Sequence, residues 1–248
     1  MLSMNYERVP KHHLHDSYFS TVMDNARSIK RRSDVPIVVR PTVTEETSIF
    51  TEVMMMDRYV DKVHWQLENC RQFDNPEAFV ATYVYEIELL FENWLNHLRK
   101  GIMLRYIPFM GALKFMLCHD RDDNRFVCGY DKHMLFVQTN GNCFACCDSV
   151  PNGIHRIGDI YNGIQYENIK LTDLFCGECD YRSLCMGRCG RMHKEFTREH
   201  IEYYCRMNKK MFDLFLGNKE LLQSLLERYP HFREEIFHWS LDIMEYTP

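Results

Sequence analysis

Apolar positions in the first half of the chain switch between two periods. Val35 to Val43 is a short apolar run that predicts a buried strand. Val60 to Glu68 alternates, with Val63, Trp65 and Leu67 on one face and His64, Gln66 and Glu68 on the other. Around these runs the period becomes helical. Residues 17–31 predict one helix, and Thr44 followed by Glu45 and Glu46 predicts the capped start of another that runs to about Arg58. The clearest helix opens at Asn75-Pro76-Glu77 and carries one wide apolar stripe from Phe79 to Leu98, until Gly101 stops it. Ile102 to Ile107 then predicts a third strand. The order β-α-β-α-β implies parallel strands joined by crossover helices, an α/β fold for residues 1–117.

The polar positions on those strands matter as much as the apolar ones. A parallel strand covered on both faces reads as almost continuously apolar. Here the first strand carries Arg40 and Thr42, and the second carries His64, Gln66 and Glu68. A polar inner face near the carboxyl ends of parallel strands is where barrel enzymes build their sites, so these five are candidate lumen residues. The plainer alternative is that His64 and Glu68 face water at a strand end.

The second half is patterned differently. Met134 to Thr139, Asn140-Gly141, and Asn142 to Ala145 predict a β-hairpin around a type I′ turn. After Cys205 the chain reads as helical: Met211 to Leu216 ends at Gly217, Asn218 caps Lys219 to Arg228, and Pro230 breaks that helix. Phe232 to Met244 makes a final amphipathic helix, with Phe232, Phe237 and Trp239 as core residues. The divisions expected are residues 1–117, 118–216 and 217–248.

Composition changes this picture in three ways. With 248 residues and 46% hydrophobic content the chain can build a core without covalent staples. A formal net charge of −5 argues against a broad nucleic-acid-binding face. Met1 to Met23 holds no apolar signal region and no run reaches the length of a membrane span, so a cytoplasmic, reducing setting is expected. Disulfides are then the weaker reading of the eleven cysteines.

Seven of those cysteines form one long pattern. Cys128 is followed by twelve residues, Gly141, four more residues and Cys146. Then come Cys176-x2-Cys179-x5-Cys185-x3-Cys189 and, later, Cys205. Thiolates at this density hold zinc or iron–sulfur clusters. A structural zinc site needs four ligands, commonly two knuckles a dozen or more residues apart, whereas the two cysteine pairs here are separated by only five residues. Two sites sharing one loop fit that crowding better. Two cubanes need eight thiolates, and Cys118 is the natural eighth.

The pattern C-x9–15-G-x4-C, then C-x2-C-x5-C-x3-C, then C, resembles the SPASM domain of radical S-adenosylmethionine (SAM) enzymes. Ile157-Gly158-Asp159-Ile160 sits where those domains have a similar segment, and Val35 to Glu68 resembles the later strands of the partial (β/α) barrel in peptide-modifying members. The resemblance implies the C-terminal part of such a barrel, followed by a cysteine-rich SPASM domain with a β-hairpin and helices. It implies two auxiliary [4Fe–4S] clusters, serving electron transfer or substrate binding. One would use Cys128, Cys146 and Cys189 with Cys118, Cys143 or Cys147 completing it; the other would use Cys176, Cys179, Cys185 and Cys205. It implies a ribosomally made peptide or protein substrate and a reductant such as ferredoxin or flavodoxin, with no nucleic acid and no membrane. Radical-SAM cleavage needs a C-x3-C-x2-C loop, and no such triplet is present, no cysteine preceding Cys70. SAM and a third cluster are therefore expected only in a full-length or complemented enzyme, the chain reading as the later portion of a longer, truncated or split one. A stand-alone iron–sulfur carrier and a zinc-stabilised interaction module are the alternatives. Cys70 is expected to be an inert thiol.

Overall fold

A computed structural model of the chain describes residues 2–4, 15–70, 72–117, 125–148, 153–167, 169–238 and 247–248. Cys118 and Trp239, with the rest of the helix expected up to Met244, lie outside the described residues.

The first part builds a small parallel sheet in chain order: β1 (Leu2–Met4), α1 (His15–Arg32), β2 (Val38–Val43), α2 (Ile49–Met56), then the two short pieces β3 (Lys62–Val63) and β4 (Gln66–Leu67) of one broken strand. β2 sits in the middle, with β1 on one side and β3 and β4 on the other, all parallel. α3 (Pro76–Leu98) and α4 (Ile107–Leu117) follow. The alternation is realised: Val63, Trp65 and Leu67 are buried, as are Val39 and Val43. Asn75 caps α3, its side chain accepting from the Ala78 N–H at 3.3 Å, with Pro76 in the first turn.

Four expectations are corrected. The third strand reduces to a single parallel bridge between Tyr106 and Val63. Pro108, which needs no N–H partner in a first helical turn, lets α4 begin at Ile107 instead. Thr44 is not the cap of α2: its hydroxyl pairs with that of Thr47 at 2.9 Å, and Ser48 accepts from the Thr51 N–H at 3.2 Å. β2 starts three residues later than expected, and Val35 is exposed. Phe237, expected in the core, is 47% exposed, whereas Phe232 is fully buried.

The cysteine-rich part opens with an antiparallel meander of β5 (Phe136–Val137), β6 (Asn142–Phe144), β7 (Arg156–Asp159) and β8 (Gly163–Ile164). Its first turn is not type I′. That turn needs two residues with positive φ, and of the pair only Gly141 has one, at 86°. The loop is one residue longer, closed by Gln138 N–H to Asn142 O at 2.9 Å. In the tight β7–β8 turn Gly158 faces the opposite strand so closely that a Cβ would lie 2.1 Å from the Gly163 carbonyl oxygen. The Asp159 carboxylate closes the same turn by accepting from the Tyr161 and Asn162 N–H groups.

Short helices α5 (Arg182–Cys185) and α6 (Met192–Glu195) lead into α7 (Arg198–Gly217), α8 (Lys219–Arg228) and α9 (His231–His238). α7 begins thirteen residues before the expected Met211, capped by Thr197, so Cys205 lies inside a helix and not ahead of one. It packs along α3. Phe215 stands 5.0 Å from Phe91, 5.6 Å from Trp94 and 5.7 Å from Phe109, centroid to centroid. One apolar core runs from Met23 and the sheet through α3 and α7 to Ile236, so the helix that carries Cys205 is fixed against α3 and the parallel sheet. Among the described residues no helix is long and apolar enough to cross a membrane.

Candidate functional site

Four of the expected thiol ligands meet. Cys176 lies in a short 3-10 turn (Phe175–Glu178), Cys179 ends that turn, Cys185 ends α5, and Cys205 projects from α7. All four line one cavity of about 400 Å³, walled also by Phe175, Tyr181 and Phe212. Burial pushes the Cys176 thiol up to about 12, with the nearby Cys205 and Cys179 sulfurs adding to the rise. Burial raises Cys185 and Cys205 as well. Thiolates and not thiols bind metal, so loading such a site releases protons.

The room around the thiols bears on what they could hold. Zinc–thiolate bonds of about 2.3 Å put the sulfurs of a tetrahedron about 3.8 Å apart. Among the described residues the one group with three ligand atoms within 4.8 Å of each other is Cys146, Cys147 and Asp148. No three of the four cavity thiols lie that close to one another, and the space they surround is roomy enough for a multi-iron core. A polar atom set in the wall adds to the fit: Asn208, only 2% exposed, has neither its amide nitrogen nor its amide oxygen in a hydrogen bond.

The other expected set gathers more loosely. Cys146 is pushed up to about 12, by burial first and then by neighbours that include Cys189. Cys128, Cys146 and Cys189 all act on the phenol of Tyr130, which burial holds above its usual range. The three thus lie around Tyr130, with Cys146 and Cys189 also acting on each other. Cys147, beside Cys146, reaches Asp148. Cys143 turns inward, 1% exposed, with its Sγ 3.7 Å from the Gly141 carbonyl. No disulfide joins any of the ten described cysteines.

The turn between Cys185 and Cys189 explains how a C-x3-C segment serves two places. In a continuous helix, residues four apart share a face. Here Met186, Gly187 and Arg188 all take positive φ, at 48°, 72° and 52°. The chain reverses hand, and Cys189 approaches Cys146 and Asn69 while Cys185 faces the large cavity.

Arg188 ties this turn to the sheet. Its guanidinium is buried and donates to the Leu67 carbonyl at 3.2 Å, to Asn69 Oδ1 at 2.7 Å and to the Pro248 carbonyl, and it lies 4.5 Å over the Tyr204 ring. Asn69 in turn donates to Cys189 Sγ at 3.6 Å. Tyr204 O–H reaches the Glu68 carbonyl at 2.7 Å, and His200 Nε2 lies 2.8 Å from that of Cys70. The carboxyl end of β4 and the cysteine turn are thus one connected unit. Nothing in the sequence marks Arg188 except a charge placed inside a cysteine loop.

The candidate lumen residues share a face. The register pairs Val38 with Lys62 and Thr42 with Gln66, which puts Arg40 and His64 between them on the same side. His64 is 2% exposed, so the alternative that it faces water does not hold. Lys62 joins this face unforeseen, although it stands two residues before His64 in the same alternation. It is buried, and desolvation first, then Arg105, lowers its ammonium to about 8.

Beside the first cysteine group, Tyr130 O–H meets His155 Nδ1, and His155 Nε2 lies 2.8 Å from Glu195 Oε1, which also accepts from Arg191 Nε at 3.0 Å. Burial lowers the imidazole pKa. Burial opposes ionisation of Glu195, but the hydrogen bonds from Arg191 and His155 outweigh it and lower the carboxyl. Both groups hold protons more readily when unfolded. Stability is therefore present above the unfolded values of about 6.5 and 4.3 and is lost as pH falls through each. The urea midpoint is expected to drop between pH 7 and pH 4, and Glu195→Gln is expected to flatten the lower part of that profile.

No protein-family model matches the chain, and no curated protein matches it. Solved structures share its fold. Histidine-tagged anSMEcpe with bound AdoMet aligns with a TM-score of 0.63 at 18% identity, over 87% of this chain and 62% of that one. Native anSMEcpe with bound AdoMet and Kp18Cys peptide gives 0.61 at 19% identity, over 93% and 68%. The complex with Cp18Cys peptide gives 0.60 at 19% identity, over 86% and 63%. The chain spans 62% of the length of the first of these. anSMEcpe is a SPASM-type radical SAM maturase, and at these identities the likeness is one of fold.

Proposed function

We propose that the chain is the auxiliary-cluster part of a radical SAM enzyme that modifies a peptide or protein. The observation that carries this is the convergence of Cys176, Cys179, Cys185 and Cys205 on one cavity, in a chain with the fold of anSMEcpe. The first set, Cys128, Cys146 and Cys189, would take a fourth ligand from Cys118, Cys147 or Asp148, the last two standing beside Cys146. Bound clusters supply one-electron transfer at low potential. The chain's own residues would do the rest. Arg188 and Asn69 hold the cysteine turn against the end of β4, and Arg40, Thr42, His64, Gln66 and Glu68 would line the substrate side of the sheet. A peptide substrate is supported by the peptide complexes of anSMEcpe. With no C-x3-C-x2-C triplet in these residues, SAM cleavage belongs to a segment supplied elsewhere.

Anaerobic reconstitution of the chain with iron and sulfide tests the reading. About eight irons and eight sulfides per chain are expected, four of each per cubane. Tight zinc binding with no uptake of acid-labile sulfide would refute it.

A further inference from the structure

Asn208 is a destabilising residue where it stands. It sits in the middle of α7, with Met207 and Met211 buried beside it and Phe212 one turn on. Asn is a poor helix former, and a buried amide left without partners is destabilising. A leucine there would suit the protein alone better. Yet the amide follows Cys205 by one helical turn and lines both the large cavity and a smaller one that adjoins it and includes Cys189. Every thiol that faces it becomes an acceptor once deprotonated, and inorganic sulfide is an acceptor only. An amide rotated either way about its last bond keeps its place, so the nitrogen can be the atom that faces them.

We infer that Asn208 donates its side-chain N–H to sulfur of the cluster held by Cys176, Cys179, Cys185 and Cys205, and so sets that cluster's reduction potential. This rests on the cluster reading above. The reduced cluster carries one more negative charge, so a hydrogen bond to its sulfur stabilises the reduced form and raises the potential. The residue then acts on one of the two clusters and shifts its potential relative to the other's.

The test uses the full chain with Asn208→Leu and the near-isosteric Asn208→Asp. In the cluster-free state, urea unfolding should show Asn208→Leu to be at least as stable as wild type. After reconstitution, an EPR-monitored redox titration should show one of the two cluster potentials lowered in Asn208→Leu, and lowered further in Asn208→Asp, while the other stays in place. If both potentials stay unchanged in the two variants, the inference fails whatever Asn208→Leu does to the stability of the cluster-free chain. A wild-type chain that takes up no sulfide overturns the cluster reading itself, a result seen before any variant is made.

Discussion

Cys185→Ser is expected to lower the iron and sulfide taken up on anaerobic reconstitution from about eight of each to about four. The reason is positional. Cys185 ends α5 and shares the large cavity with Cys176, Cys179 and Cys205, so its loss removes one corner of a single cage. The left-handed stretch that follows aims Cys189 at Cys146 and Asn69, so the second set keeps its members. A serine hydroxyl is a harder and far less acidic ligand than a thiol and does not replace it. Cys70→Ala is the control. Its sulfur meets the Tyr204 hydroxyl at 3.7 Å and lines neither cavity, so iron content should not change. Metal analysis and sulfide assay decide the matter. Full iron in Cys185→Ser, or lost iron in Cys70→Ala, would dismantle the ligand assignment.

Arg188→Met should cost about 3 kcal/mol or more of folding stability, read from urea unfolding of the cluster-free chain. A hydrogen bond from a charged donor contributes about 1.5–3 kcal/mol. Arg188 makes such bonds to the Leu67 carbonyl, Asn69 Oδ1 and the Pro248 carbonyl, and it covers Tyr204. Against this stands the cost of burying the guanidinium, which a methionine would avoid. The balance favours arginine because its oxygen acceptors stay behind in the variant without their donor. Arg188→Lys restores the charge but not the fork, since one ammonium does not span acceptors on separate segments. It should recover less than half of the loss. A methionine variant as stable as wild type would mean that desolvation cancels the hydrogen bonds.

How much of this was written in the chain depends on the kind of signal. The parallel order followed from strand alternation at Val63, Trp65 and Leu67 and from the cap at Asn75, both strong local cues. The missed elements are places where two local readings compete. Ile102 to Ile107 is a short apolar run that suits a strand, and only Tyr106 bridges before Pro108 turns the chain into α4. Thr44 and Ser48 are both good caps, and tertiary placement chose the later one. The cysteine spacing pointed to candidate ligands, yet the meeting of four of them at one cavity depends on α7, which starts well before the helix that periodicity revealed. Arg188, Asn69 and Asn208 left no periodic trace, because a polar residue that the fold covers looks like a surface residue in sequence. His64 and Lys62 show the same blindness: alternation gave their side of the strand, and their depth came from what covers it.

The reversal of hand at residues 186–188 has a bearing on how this segment can vary over generations. Arg188 is held there by its hydrogen bonds, and Gly187 by the close approach of Leu171 and Phe126, which leaves Met186 the position freest to change within a left-handed backbone. The length of the segment is fixed. Adding or removing one residue would swing Cys189 around the chain axis, away from Cys146 and Asn69, so natural variants of this loop should differ by replacement at Met186 and almost never by gaps.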